Sequence, residues 1–386
     1  MREKRWCPLY GKCGGCDWVN TSYQTELAMK EETVRKYCSR FGRVSPVIPA
    51  VSLTHFRTKV QAVCGLDRDG RFITGQYRRG SHKLIEVRSC VLEDGKATAV
   101  LQSVRQAAGR FGISPYDEDR RTGDLRHILI RVSRKTGEAL VALVTARRDF
   151  PHKADLVSLI HQKNSFVTSV VQIINCRDTS MVFEEEDEEI LLYGRGYITE
   201  EICGLEFTVS AKSFFQTNPE QTEVLYRTAI KLARLREGDR VIDAYSGTGT
   251  IALIAAAYGV SSVVGVESNP RSVKDAEKNA ERSGIDNAVF VNEDASKYLK
   301  EAKRRGEKFD LIFLDPPRRG STEEFLAAAA KVGAEGIVYI SCNPETLGRD
   351  LRYLTRFTPY RALEIQPVDM FPGSNHIETV VLMSRV

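Results

Sequence analysis

The fold is decided by residues 240–250, which read RVIDAYSGTGT and lead into the apolar segment Thr250–Ala257. The apolar start predicts a buried strand, and the segment after the turn predicts a helix. Gly247 and Gly249 carry no Cβ atom, so the backbone of the turn can approach a bound ligand closely. This order of elements predicts one unit of a doubly wound α/β sheet with a nucleotide-type ligand site.

The same alternation of strand and helix continues to the C-terminus. Helical stretches are predicted at Thr250–Ala257, Arg271–Ser283 and Thr322–Val332. Apolar strands are predicted at Arg240–Tyr245, Ser262–Val266, Ala288–Val291, Leu311–Leu314, Gly336–Ile340 and Thr379–Met383. Repeated alternation of this kind predicts a Rossmann-like α/β domain over residues 204–386.

Acidic residues follow successive predicted strands. Glu267 ends the second strand, where a carboxylate can hold both hydroxyls of a ribose, and Asp294 and Asp315 follow the third and fourth strands. The third glycine of the dinucleotide pattern G-x-G-x-x-G is missing, and so is a P-loop lysine. Together with the glycine turn, these carboxylates predict S-adenosylmethionine as the ligand rather than NAD.

A cysteine ends the fifth predicted strand. Cys342 is followed directly by Asn343-Pro344, where a helix is expected to begin. A thiol at the C-terminal end of a strand, beside a nucleotide-type site, predicts covalent catalysis. The positive end of the helix dipole would favour its thiolate form.

Cysteines also cluster at the N-terminus. Cys7, Cys13 and Cys16 follow the spacing C-x5-C-x2-C, and two glycines between the last pair allow the backbone to wrap around one centre. Of the remaining candidates for a fourth ligand, Cys38 lies in a predicted helix and Cys64 in an apolar strand, so we choose Cys90. Zinc and a [4Fe–4S] cluster both accept four cysteines, so the spacing leaves the metal open.

Composition and charge are those of a globular protein that contacts a polyanion. Hydrophobic residues make up 42% of the 386 residues, and 56 Lys and Arg face 51 Asp and Glu. Basic clusters concentrate in a β-rich segment, residues 46–203, where Arg78, Arg79, Arg131 and Arg134 are expected to contact phosphates of RNA. No membrane-spanning run or signal peptide is recognisable, which favours the cytoplasm.

Six segments resemble the uracil-5-methyltransferase family acting on RNA, which includes enzymes for tRNA and 23S rRNA, and the resemblance covers nearly the whole chain. They are SFFQTN at 213–218, DAYSGTGT at 243–250, DPPRRG at 315–320, SCNPETL at 341–347, DMFP at 369–372 and HIET at 376–379. The N-terminal cysteines resemble the iron–sulfur motif of the rRNA branch. Ser246 departs from the cysteine that many members carry. The family's common N-terminal TRAM domain is also not found, as in the shorter rRNA enzyme.

The resemblance implies a SAM-dependent enzyme that forms 5-methyluridine. Cys342 would add to C6 of uracil, and Glu378 would remove the proton from C5. Gln216, Tyr245, Glu267 and Asp315 would contact the cofactor, with Asp294 as a further candidate from its position. Cys7, Cys13, Cys16 and Cys90 would hold a [4Fe–4S] cluster.

The resemblance also implies a discontinuous domain order and a partner. Residues 1–18, which contain the cysteine cluster segment, would be joined to a central RNA-binding domain at 46–203. The helix within 19–45 would pack on the catalytic domain at 204–386. The expected substrate is 23S rRNA, the expected state a monomer.

Three alternatives remain at this point. One is a tRNA uracil-5-methyltransferase. Another is a cytosine-5 RNA methyltransferase, which resembles a pattern with cysteine directly after Asp-x-Pro, whereas Arg318 stands there in this chain. The third is a non-catalytic, metal-stabilised RNA-binding protein on a methyltransferase fold.

Overall fold

The computed structural model describes residues 6–178 and 181–386. These residues form two compact units, each built from separate stretches of the chain. The first unit contains the chain up to Asn20, Ser52–Glu200 and Thr208–Pro219. The second unit contains Thr21–Val51, Glu201–Phe207 and Glu220–Val386.

Helices and strands are numbered here in chain order. The helices are α1 (Tyr23–Cys38), α2 (Gly95–Phe111), α3 (Lys153–Lys163), α4 (Pro219–Ala233), α5 (Thr250–Ala257), α6 (Pro270–Arg282), α7 (Ala295–Arg304), α8 (Glu323–Val332) and α9 (Pro344–Phe357). The strands are β1 (Lys59–Leu66), β2 (Phe72–Tyr77), β3 (Leu84–Glu86), β4 (Leu125–Val132), β5 (Ala139–Thr145), β6 (Val167–Ile174), β7 (Glu188–Gly194), β8 (Tyr197–Ile202), β9 (Leu205–Ser210), β10 (Arg240–Ala244), β11 (Ser262–Glu267), β12 (Ala288–Asn292), β13 (Leu311–Leu314), β14 (Gly336–Ser341), β15 (Tyr360–Val368) and β16 (Glu378–Arg385).

The first unit is built on one sheet with the strand order β3-β2-β1-β4-β5-β6-β7. Neighbouring strands of this sheet pair antiparallel except β5 and β6, which run parallel and are joined through α3. Every residue of β4 and β5 is buried, because helices α2 and α3 cover one face and a second apolar cluster covers the other. Burial on both faces explains the continuous apolar run of β5, whereas β4 also buries the polar side chains of Arg126, His127 and Arg131.

The second unit is the predicted doubly wound sheet, with the strand order β12-β11-β10-β13-β14-β16-β15. Strand β10 pairs in parallel with β11 on one side and with β13 on the other. The chain therefore continues from β10 into β11 and β12 on one side of β10, and the later strands β13 to β16 form the sheet on its other side. In open α/β sheets a ligand binds at the carboxyl ends of the strands at such a switch point.

Strand β16 inserts antiparallel between β14 and β15. The insertion brings the start of β16 beside the end of β14. Strand β15 was not among the predicted strands. Its exposed and buried positions alternate irregularly around a bulge between Ala362 and Glu364, which weakens its signal in the sequence.

The division into units differs from the predicted bounds at 46 and 204. Residues 46–51 belong to the second unit, and Thr208–Pro219 belongs to the first. The latter segment is held there by hydrogen bonds, from the Arg131 guanidinium to the carbonyl of Ala211 at 3.3 Å and from Thr58 N to the carbonyl of Thr217 at 2.8 Å. Backbone contacts far apart in sequence decide this boundary, and local composition does not show them.

Helix α1 lies in the second unit and packs against α9 and β15. It buries Lys30 and Glu26 completely, together with Asp369 at the end of β15. Lys30 Nζ lies 2.7 Å from Glu26 Oε1, 2.6 Å from Asp369 Oδ1 and 3.1 Å from the carbonyl oxygen of Phe371. We call these three charged side chains the Lys30 cluster.

Within the described part of the chain, no helix combines the length and the apolar character needed to cross a membrane.

Candidate active site

Three predicted site residues meet at one edge of the second unit's sheet. Cys342 directly follows β14, Glu378 begins β16, and Asp315 directly follows β13. In the antiparallel ladder Ser341 is paired with Thr379, so the next position of the same ladder places Cys342 opposite Glu378. Strand β13 runs beside β14, which adds Asp315 to this edge.

The surroundings of Cys342 raise the pKa of its thiol. Burial raises its pKa to about 11, and the carboxylates of Glu378 and Asp315 add to the rise, while Arg318 opposes it. Helix α9 does begin at Pro344, with Asn343 as its N-cap. Burial and two nearby carboxylates outweigh the thiolate stabilisation that was expected from the helix terminus.

Burial raises the pKa of the carboxyl groups of Glu378 and Asp315. Burial raises the pKa of Glu378 to about 8, with a further increase from Asp315 and a decrease from Arg318. Burial also raises the pKa of Asp315 to about 7. Glu378 is only 4% exposed. A buried carboxyl group with such a pKa is suited to accept and release a proton at physiological pH.

The segment after β13 is tied to the residues around Glu378 and to helix α9. Arg318 Nη2 lies 2.6 Å from Nδ1 of His376, two residues before Glu378. The carbonyl oxygen of Arg318 accepts hydrogen bonds from Asn343 Nδ2 and Thr346 Oγ1, both at 3.2 Å. Arg318 thereby connects the strand ends that carry Asp315, Cys342 and Glu378.

One residue of this region was missed in the sequence. Asp350 is 2% exposed and accepts hydrogen bonds from Ser321 N and from the hydroxyl of Tyr339, both at 2.7 Å. It fixes the chain after the DPPRRG segment to α9. The sequence did contain a sign of this role, because Asp350 stands on the same helical face as the apolar residues Leu347 and Leu354.

The glycine-rich turn has the backbone shape that its composition predicted. Tyr245, Gly247 and Gly249 have φ values of 67°, 54° and 83°. A Cβ atom at Gly247 would meet no other atom within 4 Å, so this face of the turn is open to a ligand. At Gly249 a Cβ atom would come within 2.7 Å of the Phe290 ring, so glycine is required there for packing.

Two further acidic residues surround this turn. Glu267 Oε2 accepts a hydrogen bond from Gly247 N at 3.0 Å, and Oε1 accepts one from Asn269 N at 2.8 Å, which fixes the carboxylate beside the turn. Asp243 Oδ2 accepts from Ala252 N at 2.9 Å, whereas its Oδ1 is buried without a hydrogen-bond partner among the described residues. An open turn, an oriented carboxylate and an unpaired buried acceptor fit a bound nucleoside-type cofactor.

The two remaining cofactor candidates have other structural roles. Asp294 is exposed and caps α7 by accepting a hydrogen bond from Lys297 N at 3.0 Å. Burial raises the pKa of the Tyr245 phenol, and the hydrogen bond with Ser321 lowers it. Asp294 lies close enough to Tyr245 to raise this pKa further. Gln216 belongs to the first unit and lines a small cavity there with Lys59 and Phe215. Its cofactor role stays a prediction.

The N-terminal cysteines share one neighbourhood in the first unit. Cys16 interacts electrostatically with Cys13 and Cys7, and Cys90 with Cys16. Burial raises the pKa of Cys16 to about 11 and that of Cys90 to about 12, and Arg57 lowers both. Among the residues that the structure describes, no three His, Cys, Asp or Glu side chains converge as ligands of one metal ion.

The basic residues of the first unit divide into buried and exposed groups. Arg131 is 3% exposed and donates to main-chain carbonyl groups, and Arg134 pairs with Asp94 at 3.2 Å. Arg131 therefore serves the fold, and its expected contact with RNA phosphates is not supported, whereas Arg134 is exposed and its contact with phosphates stays a prediction. Arg78 and Arg79 are exposed.

Comparison with known proteins gives consistent matches. Residues 178–386 match a family model described as tRNA (uracil-5-)-methyltransferase. An uncharacterized RNA methyltransferase of Halalkalibacterium halodurans is 37% identical over 382 residues, 98% of this chain and 82% of the relative. One from Bacillus cereus is 38% identical over 390 residues, 100% of this chain and 84% of the relative. The crystal structure of Pyrococcus abyssi tRNA (uracil-54, C5)-methyltransferase with S-adenosyl-L-homocysteine matches with a TM-score of 0.79 and 25% identity, covering 98% of this chain and 87% of that one.

Proposed function

Because the chain belongs to the tRNA (uracil-5-)-methyltransferase family and is an RNA methyltransferase, we propose that it converts a uridine of 23S rRNA to 5-methyluridine through a covalent adduct with Cys342. The observation that carries this proposal is the pairing of Ser341 with Thr379, which brings the neighbouring Cys342 and Glu378 together at the ends of β14 and β16. A nucleophile and a base on adjacent strand ends can act on the two neighbouring ring carbons of one uracil.

The proposed reaction begins at Cys342. Its sulfur forms a bond to C6 of uracil as the thiol proton passes to the carboxylate of Asp315, which lies close enough to act on the thiol, and C5 gains the character of an enolate carbon. S-adenosylmethionine supplies the methyl group when bound. Glu378 then accepts the C5 proton, and the sulfur–C6 bond breaks to restore the aromatic ring. The target base must leave its stack to reach these groups.

The cofactor is proposed to lie along the ends of β10, β11 and β13. Glu267 would accept hydrogen bonds from the ribose hydroxyls through the lone pairs that its backbone donors leave free. Tyr245, Asp294 and Asp315 would complete the site in this unit. Gln216 is retained as a proposed contact from family resemblance alone.

The choice between RNA classes separates two candidates. The N-terminal cysteine motif favours 23S rRNA through its resemblance to that branch. The Pyrococcus abyssi neighbour, a tRNA (uracil-54, C5)-methyltransferase, favours tRNA.

Purified protein should be incubated with labelled S-adenosylmethionine and unmodified transcripts of both RNAs, followed by digestion and mass spectrometry. We expect 5-methyluridine in the 23S transcript. Labelling of tRNA alone would contradict that choice, and labelled cytidine would contradict the proposed chemistry.

We further propose that Cys7, Cys13, Cys16 and Cys90 hold a [4Fe–4S] cluster. Their electrostatic contacts link all four into one group, and Arg57 provides a positive charge beside it. The cluster's proposed role is structural, and the protein is expected to act as a monomer in the cytoplasm.

Anaerobically purified protein should contain iron and acid-labile sulfide in equal amounts, about four of each per chain. Cys90→Ala should lose most of both, because one of four ligands is removed. Cys176→Ala is the matched control, since Cys176 is exposed and lies outside the group. One zinc per chain without iron would reject the cluster while retaining the four ligands.

The rate at which the covalent adduct resolves should increase with pH. Only unprotonated Glu378 can accept the C5 proton, and its pKa is about 8. The rate should therefore rise up to about tenfold per pH unit below pH 8 and level off above it. Rapid-quench measurements of adduct decay from pH 6 to 9 at constant ionic strength would test this. A decay rate independent of pH would exclude Glu378 as the base.

A further inference from the structure

We infer that a cleft beside the N-terminal cysteine segment binds one unstacked nucleotide of the RNA substrate, at a distance in sequence from every catalytic residue. The cleft has a volume of about 530 Å³ and is lined by Tyr10, Lys12, Asp17, Trp18, Arg78 and Arg79, and its wall also includes Cys13 and Cys16 of the proposed cluster. A volume of this size is typical of sites for small ligands, and a base with its sugar is of that class. This inference rests on the proposed function, since it assumes an RNA substrate.

The walls of the cleft are fixed by contacts between two distant segments. Arg79 Nη2 donates to Asp17 Oδ1 at 2.8 Å, and the hydroxyl of Tyr10 donates to the carbonyl of Asp17 at 2.5 Å. Gly14 packs so closely on the end of β2 that a Cβ atom there would lie 3.2 Å from the carbonyl oxygen of Tyr77. The 10–18 segment is thus held against the tip of the β2–β3 hairpin, and the cleft exists before any ligand binds.

The side chains of the cleft match the chemistry of a single-stranded nucleotide. Tyr10 is 41% exposed and Trp18 is half-buried, so both aromatic rings border the cleft with part of their surface free for a base. Lys12 and Arg78 are exposed and make no side-chain hydrogen bond or ion pair with any described residue, which leaves them for phosphates. Arg79 is oriented by its ion pair with Asp17.

The balance of charge and shape favours RNA over other ligands. Three cationic side chains face one carboxylate, so the cleft attracts an anion. Aromatic faces beside cations are the combination that holds single-stranded nucleic acid, whereas the bases of a duplex are not available for stacking. An acidic peptide shares the charge of RNA but not its bases, and the experiment separates the two.

The test compares RNA binding by charge-matched variants. Lys12→Ala/Arg78→Ala removes two exposed cations of the cleft, and Lys303→Ala/Arg304→Ala removes two exposed cations at the end of α7. Fluorescence anisotropy of an end-labelled 23S rRNA stem-loop, measured at several salt concentrations, reports affinity. For the cleft variant we expect a salt-dependence slope smaller by about two, since each lost phosphate contact removes roughly one unit. The α7 variant should keep the wild-type slope.

Stacking is tested with the aromatic wall and a modified ligand. Trp18→Ala should weaken binding about tenfold, within the range measured for base–aromatic stacking, and Trp18→Phe should restore most of it. RNA carrying 4-thiouridine should crosslink on irradiation to peptides containing Tyr10 or Trp18. A polyglutamate peptide should not compete with the RNA.

The outcomes distinguish this inference from the proposed function. Unchanged affinity and slope in Lys12→Ala/Arg78→Ala, with that variant folded by circular dichroism, would overturn the cleft while methylation stands. Competition by polyglutamate as effective as by RNA would also overturn it in favour of an acidic protein partner. Loss of methylation in Cys342→Ala with unchanged binding is expected in either case. RNA that binds to the cleft but is never methylated would reject the proposed function alone.

Discussion

Glu378→Gln should trap RNA on the protein through Cys342, with the methyl group already transferred. The substitution preserves the size of a side chain that is 4% exposed but removes the acceptor of the C5 proton. Attack by the thiol and methyl transfer need no base at that position, so they should proceed, while release of the adduct stops. Turnover should fall by at least about a hundredfold, the lower end of the usual contribution of general base catalysis. A denaturing gel with labelled RNA should show a slow band that requires S-adenosylmethionine.

Two cysteine variants control this result. Cys342→Ala should form no band and no product, because the nucleophile is absent. Cys203→Ala is the matched control for Cys342→Ala, because burial raises the pKa of the Cys203 thiol to about 11 as well. Cys203 lies in the turn between β8 and β9, away from the residues assigned to the reaction. Cys203→Ala should retain activity. A band formed by Cys342→Ala, or wild-type turnover by Glu378→Gln, would refute the assigned roles.

Lys30→Met should cause a large loss of stability of the second unit. Lys30 and Glu26 are fully buried, and Asp369 is as well, so removing the ammonium leaves two carboxylates without a counter-charge. Breaking a buried ion pair from one side costs roughly 3–5 kcal/mol. Urea denaturation monitored by circular dichroism should show a lower midpoint with little change in slope.

The same helix provides the control for this prediction. Arg35 and Glu31 also form an i,i+4 ion pair, at 2.9 Å, but their side chains are 47% and 29% exposed. Arg35→Met should therefore cost less than about 1 kcal/mol. Equal losses of stability in Lys30→Met and Arg35→Met would show that burial does not increase the contribution of the Lys30 cluster to stability.

The pH dependence of the Lys30→Met deficit adds a second check. Burial already raises the pKa of Asp369, and Lys30 opposes that rise. Without Lys30 the folded-state pKa should rise further, so protonation stabilises the variant more than the wild type. The difference in stability should then narrow as pH falls through the raised pKa of Asp369 and widen as pH rises.

The Lys30 cluster also bears on the active site. Asp369 directly follows Val368, which pairs with Glu378 in the β15–β16 ladder. Lys30 binds the carbonyl of Phe371, and Glu26 Oε1 accepts a hydrogen bond from Gly373 N at 2.7 Å. Helix α1 therefore holds the connection that leads into Glu378, which explains why a segment so early in the chain belongs to the second unit.

The sequence by itself was sufficient for features that depend on neighbouring residues. The strands β10, β11, β13 and β14 are short apolar runs, and their order with the intervening helices predicted the doubly wound sheet. The turn at Gly247 and Gly249 follows from the absence of a Cβ atom, which acts locally. Cys342 and Asn343-Pro344 marked the end of a strand and the start of a helix for the same reason, since capping and apolar period are short-range effects.

Only the tertiary structure decided properties that depend on what lies around a side chain. Arg131 has the same charge as Arg78, but one is enclosed by strands and main-chain carbonyl groups and the other is exposed. The thiol of Cys342 was expected to ionise easily, yet burial and the carboxylates of two other strands raise its pKa. Desolvation and charge interactions act through space between residues far apart in the chain, so a sequence pattern does not contain them.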